Sequence, residues 1–396
     1  MLCARRSDGP RFLNVSTTEH LIAQIIDRLP VRDLLRCRCV SKPWCSLIDS
    51  PRFVKAHLKR SIECKAKPGI IIKSFISYSV DFDSLHNKTT TAVEIDEPLK
   101  TLLHATGDVG SCNGLHCLYN LQTDLFLWNP AMRKCRKLPD APAEFLRPFE
   151  FDQSSLCGFG YDAVNDDYKL CGSKVTIYSL KANSWRRLPN ISGNFQFRGA
   201  WGIFMGGALH WITVTAPGSP SILAFDLGDE NYKEVPMPRL QNDIVKNMNI
   251  VIFAESLCML EYFPLIRIDV WVMKDYGVRN SWCKLFSVEQ PKITTCCMSI
   301  RPIFYSKNRK DVLLEVDSKK VMWYNLKKKK ARAVKIANLP EIFDLEVYTE
   351  SLVSPDYNFS CCGPQVPRQP QEKKKQQQQQ RNKRDGFLSK GFKLVL

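Results

Sequence analysis

The side chains with the widest chemical repertoire in this sequence are six histidines and sixteen cysteines. His20, His57, His86, His104, His116 and His210 are scattered singly. No HExxH spacing brings two imidazoles onto one helix face, and no P-loop, GxSxG elbow or dinucleotide fingerprint occurs. The cysteines form no CxxC pair and no Cys/His array with zinc spacing. Cys296-Cys297 and Cys361-Cys362 are adjacent, which suits a bridge poorly, and Cys37 and Cys39 lie in a helical stretch. In a reducing compartment these are free thiols, mostly small core residues. The glycine-rich run 202–207 sits between strand signals, without a helix to receive phosphate. Asp166-Asp167 reads as a turn. His116 and His210 occupy similar places in two strand signals, a pattern of packing rather than catalysis. The sequence therefore predicts no catalytic residue, no cofactor and no metal ligand set.

What remains is organisation. Residues 21–58 pack several short amphipathic helices together. Leu21, Ile22, Ile25, Ile26 and Leu29 repeat at helical spacing. Ser16 with Glu19 resembles a capping box before them. Pro30 breaks the pattern, and Val31, Leu34, Leu35 and Val40 begin a second apolar face. Ser41 is the expected N-cap of a third helix holding Trp44, Leu47 and Ile48, with Pro43 in its first turn. Ser50-Pro51 repeats that signal before Phe53, Val54 and Leu58. A unit of about 40 residues is near the lower limit for folding alone, so part of this apolar surface is expected to belong to a partner.

Arg28-Leu29-Pro30-Val31, Leu34-Leu35-Arg36, Arg38-Cys39-Val40-Ser41-Lys42, Trp44, Phe53-Val54-Lys55 and His57-Leu58 closely resemble the F-box of plant F-box proteins. Ser16-Thr17-Thr18 stands where that family usually carries Leu-Pro, and Cys37 where an aromatic is common. The resemblance implies docking on a Skp-type adaptor that joins cullin and RING subunits. Leu29, Pro30, Leu34, Leu35, Val40 and Trp44 are the residues expected to contact it.

After Pro68 the apolar runs become short and β-branched or aromatic, separated by Gly, Asn, Asp and Pro. An internal repeat runs through them. Trp128 to Leu138-Pro139, Tyr178 to Leu188-Pro189 and Phe225 to Val235-Pro236 each span an aromatic, a turn-former, and an aliphatic residue ten positions on, followed by proline. Tyr324 to Val334 keeps the spacing without the proline, and Trp271 to Trp282 and Leu285 is the same idea with an inserted loop at 275–280. The leading aromatics lie 50, 47, 46 and 53 residues apart. Each unit reads as a hairpin, and about four strands per unit point to a kelch-like β-propeller whose ring must close between its first and last blades. The length from 68 to 355 suits six blades, with the first, between 68 and 105, degenerate. Cys112-Asn113-Gly114-Leu115, Trp128-Asn129-Pro130, Gly158-Phe159-Gly160-Tyr161-Asp162 and the YTESLVSP segment at 348–355 resemble the F-box-associated domain of the same plant family.

The expected architecture is thus α+β and multidomain. A small helical F-box (15–60) precedes an all-β kelch-like propeller (68–355) and a disordered, low-complexity basic tail (364–396). The tail carries nine Lys/Arg against Glu372 and Asp385, or +7 of the net +17. Its clusters Lys373 to Lys375 and Arg381 to Arg384 suit either nuclear import or simple solvation. The remaining excess, including the Lys-rich turn 327–330, reads as solvated surface, because no recognition helix or RNP-like motif accompanies it. No apolar run is long enough to span a bilayer. By resemblance the chain is a non-catalytic substrate-recognition subunit of an SCF-type (Skp–cullin–F-box) ubiquitin ligase in the nucleus and/or cytoplasm. It is expected to bind a protein substrate through the β domain, with no nucleic-acid partner. A basic nucleic-acid-associated propeller and a catalytic propeller are the alternatives.

Overall fold

The computed structural model describes residues 22–74, 76–87, 89–95, 107–120, 124–142, 157–172, 176–188, 195–215, 219–240, 248–290 and 299–356. The basic tail, His20, His104, the Ser16–Glu19 pair and the two adjacent cysteine pairs lie outside them.

Residues 22–26 are helical, followed by α1 (Val31–Cys37), α2 (Lys42–Ile48) and α3 (Pro51–Glu63). The starts of α2 and α3 follow from local chemistry. The Ser41 and Ser50 hydroxyls accept the backbone N–H of Trp44 and Phe53, each at 3.3 Å. In both, proline occupies the first turn, where its missing N–H costs nothing. Ile26, Val31, Leu34, Ile48, Phe53 and Val54 form the small core.

The rest of the described residues form six four-stranded antiparallel units and one short parallel pair, Ile336–Ala337 with Thr90–Thr91. Blade 2 comprises Gly107–Cys112, Leu115–Tyr119, Leu125–Asn129 and Lys134–Lys137. Blade 3 comprises Cys157–Asp162, Asp167–Gly172, Thr176–Ser179 and Ser184–Arg187. Blade 4 comprises Phe195–Met205, Ala208–Thr215, Ser219–Asp226 and Tyr232–Val235. Blade 5 comprises Met248–Phe253, Ser256–Phe263, Arg267–Met273 and Trp282–Glu289. Blade 6 comprises Ile300–Tyr305, Asp311–Val316, Lys320–Asn325 and Lys330–Ala333. Blades 3 and 4 share one sheet through a single parallel bridge, Trp201 to Cys157.

Blade 1 is built from both ends of the propeller. Its order is Asp344–Tyr348, Gly69–Lys73, Tyr78–Val80 and Val93–Glu94, so its first strand is the last strand among the described residues. That strand pairs with Gly69–Lys73 over five residues, from Gly69 opposite Tyr348 to Lys73 opposite Asp344. The unit looks degenerate in sequence because a quarter of it lies far downstream. Apolar clusters seal successive blades. One joins Ile70, Ile72, Leu85 and Ala92 of blade 1 to Leu313, Trp323 and Leu345 at the closure.

The repeat aromatics all fall on third strands. Trp128, Tyr178, Phe225 and Tyr324 are buried, and so are the aliphatic residues ten positions on, Leu138, Leu188, Val235 and Val334. The proline that ends a repeat has a second use. The Trp185 and Trp282 indoles donate to the carbonyls of Pro139 and Pro236, each 46 residues earlier in the preceding blade. Blade 5 departs from the expected pattern. A bulge between Val270 and Trp271 shifts the register, leaving Leu285 39% exposed and Val288 buried in its stead.

Five of the described cysteines are buried: Cys112, Cys117, Cys157, Cys171 and Cys258. Burial pushes the Cys258 thiol up to about 12, so it sits there as a small apolar group.

Candidate functional site: a helical docking face and a closed ring

The helical unit shows more apolar surface than it covers. Ile25 is 65% and Val40 66% exposed, Pro30 is exposed, and Leu29, Leu35 and Trp44 are half-buried. Leu34 is a correction to the expected contact set. It is completely buried in the helical core and has no surface to offer a partner. Helical periodicity groups Leu34 with Leu35 but does not say which of two neighbours turns inward. Ile25 is the residue the sequence reading left off the contact set. Its helical spacing with Ile26 and Leu29 puts it on an apolar face, and the placed helices cover Ile26 but leave Ile25 open.

His57 holds the turn at the centre of this face. Its ring is buried, and Nε2 lies 2.9 Å from the Leu29 carbonyl oxygen. A carbonyl only accepts, so Nε2 carries the proton and fixes the chain where it enters Pro30. Arg38 donates to Asp49 at 2.7 Å, tying the end of α1 to the end of α2. Attachment to the propeller is polar. Lys55 pairs with Asp166 of blade 3, and Lys65 with Glu255 of blade 5 at 2.9 Å. Both acids lie in turns between first and second strands. In an antiparallel meander those turns share one face with the turns between third and fourth strands. The helical unit is therefore rooted on that face. The opposite face carries, among the described residues, the 264–266 and 317–319 turns between the second and third strands of blades 5 and 6.

The motif residues of the β domain converge on ring closure. Asn129, wholly buried, donates from Nδ2 to the carbonyls of Ser351 at 3.0 Å and Val353 at 2.7 Å. The Ser351 hydroxyl donates to the Asn113 carbonyl at 2.6 Å. Gly114 turns at φ +82°, and a Cβ there would lie 2.4 Å from Ser351 Oγ. Three separated motifs, at 112–115, 128–130 and 348–355, are thus one clasp.

Beside it, Asp108, His116 and Glu346 bring their ligand atoms within 4.8 Å of one another, a geometry a divalent ion could use. Lys73 supplies the cation instead, its ammonium bonded to both Asp108 and Glu346. His116 Nδ1 lies 3.2 Å from Lys73 Nζ and 3.4 Å from Glu346 Oε2. Burial would raise the Glu346 carboxyl, but Lys73 and His116 outweigh it and hold it well below the usual range. Burial lowers His116, which stays neutral at pH 7. His210 is also packed away, with Nδ1 3.1 Å from the Ile203 carbonyl and Nε2 2.6 Å from the Tyr276 hydroxyl. His86 stacks on Trp323.

A pH dependence follows. A histidine whose pKa is lowered by folding takes up its proton only on unfolding once the pH passes below about 6.5, so stability falls from there downward. The depressed Glu346 adds stability that persists above about 4.3 and is lost as the pH falls further. Melting temperature should drop between pH 7 and 5, and His116→Gln should make that step shallower without abolishing it, because burial lowers His210 as well. Equal slopes in both proteins would place the acid sensitivity elsewhere.

Comparison with known proteins agrees with this geometry. Residues 18–56 match the F-box domain family and residues 69–355 the F-box associated beta propeller domain family. F-box protein CPR1 of Arabidopsis thaliana is 33% identical over 95% of this chain and 98% of its own length. F-box protein At4g22390 of the same plant is 31% identical, with the same coverage. F-box/kelch-repeat protein At3g23880, also of Arabidopsis thaliana, is 28% identical over 85% of this chain and 95% of its own. With both its helical unit and its six-bladed ring matched, this chain belongs to the family of F-box proteins that carry an F-box associated β-propeller domain.

Proposed function

We propose that this chain is the substrate-recognition subunit of an SCF-type ubiquitin ligase. The observation that carries the reading is the uncovered apolar set Ile25, Leu29, Pro30, Leu35, Val40 and Trp44 on a family-matched F-box. A Skp-type adaptor covers that set and brings cullin and RING subunits with it. Buried aliphatic and aromatic anchors dominate such interfaces. The propeller holds a protein substrate on the face opposite the F-box, where loops rather than blades set specificity.

The chain performs no bond-making step in this reading. Among the described residues, the buried histidines and cysteines are engaged in packing, backbone contacts and one internal ion cluster. Its contribution is proximity, raising the effective concentration of substrate lysines near the charged conjugating enzyme. Affinity purification of the full chain with the proteasome blocked, followed by mass spectrometry, tests this. Adaptor, cullin and RING peptides should co-purify in stoichiometric amounts together with substrate candidates. Recovery of the chain without an adaptor would count against the reading.

A further inference from the structure

The net charge of +17 is strongly localised once the blades are placed. Residues 64–298, which hold most of blade 1 and all of blades 2 to 5, carry 24 Lys/Arg against 24 Asp/Glu. Residues 299–337, blade 6 and its exit, carry twelve Lys/Arg against Asp311, Glu315 and Asp317, a net +9. Lysines that merely guard outer edge strands would be spread over all the blades. Here they concentrate in two turns of one blade.

The turn at 306–310 presents Lys307, Arg309 and Lys310, and the turn at 326–330 presents Lys327, Lys328, Lys329 and Lys330. The two are in contact, the Leu326 N–H donating to the Lys310 carbonyl at 3.0 Å. All seven side chains belong to exposed residues. Lys307 pairs with Asp83 at 2.9 Å and Lys329 with Glu289 at 2.7 Å, while Arg309 lies over the Tyr305 ring. Among the described residues, Lys310, Lys327, Lys328 and Lys330 have no acidic partner.

These turns lie on the face where the F-box is rooted, since they join first to second and third to fourth strands. The connection confirms the neighbourhood. Lys67, in the segment leading from the F-box into blade 1, pairs with Asp81 and Asp83, and Asp83 is also the partner of Lys307. The F-box is basic too, with nine Lys/Arg against four Asp/Glu over residues 22–63. One face of the protein thus carries two basic regions.

We propose that the paired basic turns of blade 6 are a second docking surface, and that their partner is an acidic protein surface of the adaptor–cullin assembly held by the F-box. The inference rests on the ligase reading above. Charge complementarity beside a hydrophobic anchor steers encounter and fixes orientation more than it adds affinity. It would give a set pose to an F-box otherwise attached to the propeller by exposed ion pairs. A nucleic-acid strand fits the patch less well. The Trp323 and Tyr324 rings of blade 6 are buried, and the half-buried Tyr305 ring at the turn is already covered by Arg309, so no open aromatic face is offered to bases there.

The test uses the full chain and a variant carrying Lys310→Gln, Lys327→Gln, Lys328→Gln and Lys330→Gln. These solvated side chains are remote from the core, and an unchanged melting temperature confirms the fold. Association with purified adaptor and with adaptor–cullin complex is measured at about 50 and about 200 mM salt. For at least one of the two, the wild-type on-rate should fall steeply with salt. The variant should associate roughly tenfold more slowly at low salt and lose most of that dependence. Equal on-rates and salt slopes would overturn the inference while leaving the ligase reading intact. A wild type that binds neither species would overturn the ligase reading, and the inference with it. Loss of binding to a random-sequence single-stranded oligonucleotide, with assembly on-rates unchanged, would identify a nucleic-acid surface and also overturn the inference.

Discussion

A chain ending at residue 343 is expected to lose the propeller altogether rather than a single strand of it. The deleted Asp344–Tyr348 is the first strand of blade 1, hydrogen-bonded along Gly69–Lys73. Its Leu345 is fully buried in the cluster that joins blade 1 to blade 6, and Leu352 and Val353 are buried just beyond. Each such side chain contributes about 1.5–3 kcal/mol on burial. The deletion also strands polar groups. Lys73 and His116 lose Glu346, and the Asn129 amide loses both its carbonyl acceptors. Breaking a buried ion pair alone costs about 3–5 kcal/mol. Together these losses reach the whole stability of an ordinary domain, about 5–15 kcal/mol. The open edge at Gly69–Lys73, with Ile70, Ile71 and Ile72 uncovered, would then pair with other molecules. Thermal melts followed by circular dichroism, with size-exclusion chromatography, compare chains ending at 343 and at 356. The longer should melt cooperatively and the shorter aggregate without a transition. A shorter chain melting within a few degrees of the longer one would mean that the ring does not depend on this strand.

Different parts of this structure were legible in the sequence to different degrees, for physical reasons. Capping is local, and the serine-proline signals at Ser41 and Ser50 start helices where expected. The blade repeat was readable because Trp128, Tyr178, Phe225 and Tyr324 fill equivalent third-strand positions whose burial admits little else. Blade 5 was legible as a repeat with an inserted loop, but its buried aliphatic is Val288 rather than Leu285, because of a bulge that no residue type announces. The composition of blade 1 was hidden because a strand pairing across some 275 residues leaves no local trace. The same holds for the Lys73, Asp108, His116 and Glu346 cluster, whose members come one from each of four strands. The lysine run at 327–330 was visible from the start. Its meaning changed only when the neutral blades around it and its contact with the 306–310 turn were known.

The second large effect is expected at the F-box. Leu29→Ala with Pro30→Ala removes two apolar side chains from the uncovered face and frees the turn that His57 fixes through the Leu29 carbonyl. Central interface anchors cost roughly 2 kcal/mol or more apiece when truncated, so the pair should weaken adaptor binding by at least about a hundredfold. The propeller should be untouched, since Leu29 and Pro30 lie in the helical unit, away from the Lys55–Asp166 and Lys65–Glu255 ion pairs that tie it to the propeller. Leu29 is half-buried, and its loss also perturbs the small helical core. A second variant, Ile25→Asp with Val40→Asp, therefore places charges where the side chains are exposed and folding makes no demand on them. The decisive measurement is a calorimetric titration of the full chain and both variants with a purified Skp-type adaptor. The wild type should form a saturable one-to-one complex, and both variants should show no saturation at concentrations that fill the wild type, with the Ile25→Asp, Val40→Asp variant melting at the wild-type temperature. A wild type without saturable binding, or variants that bind as it does, would contradict the assignment of this face to the adaptor.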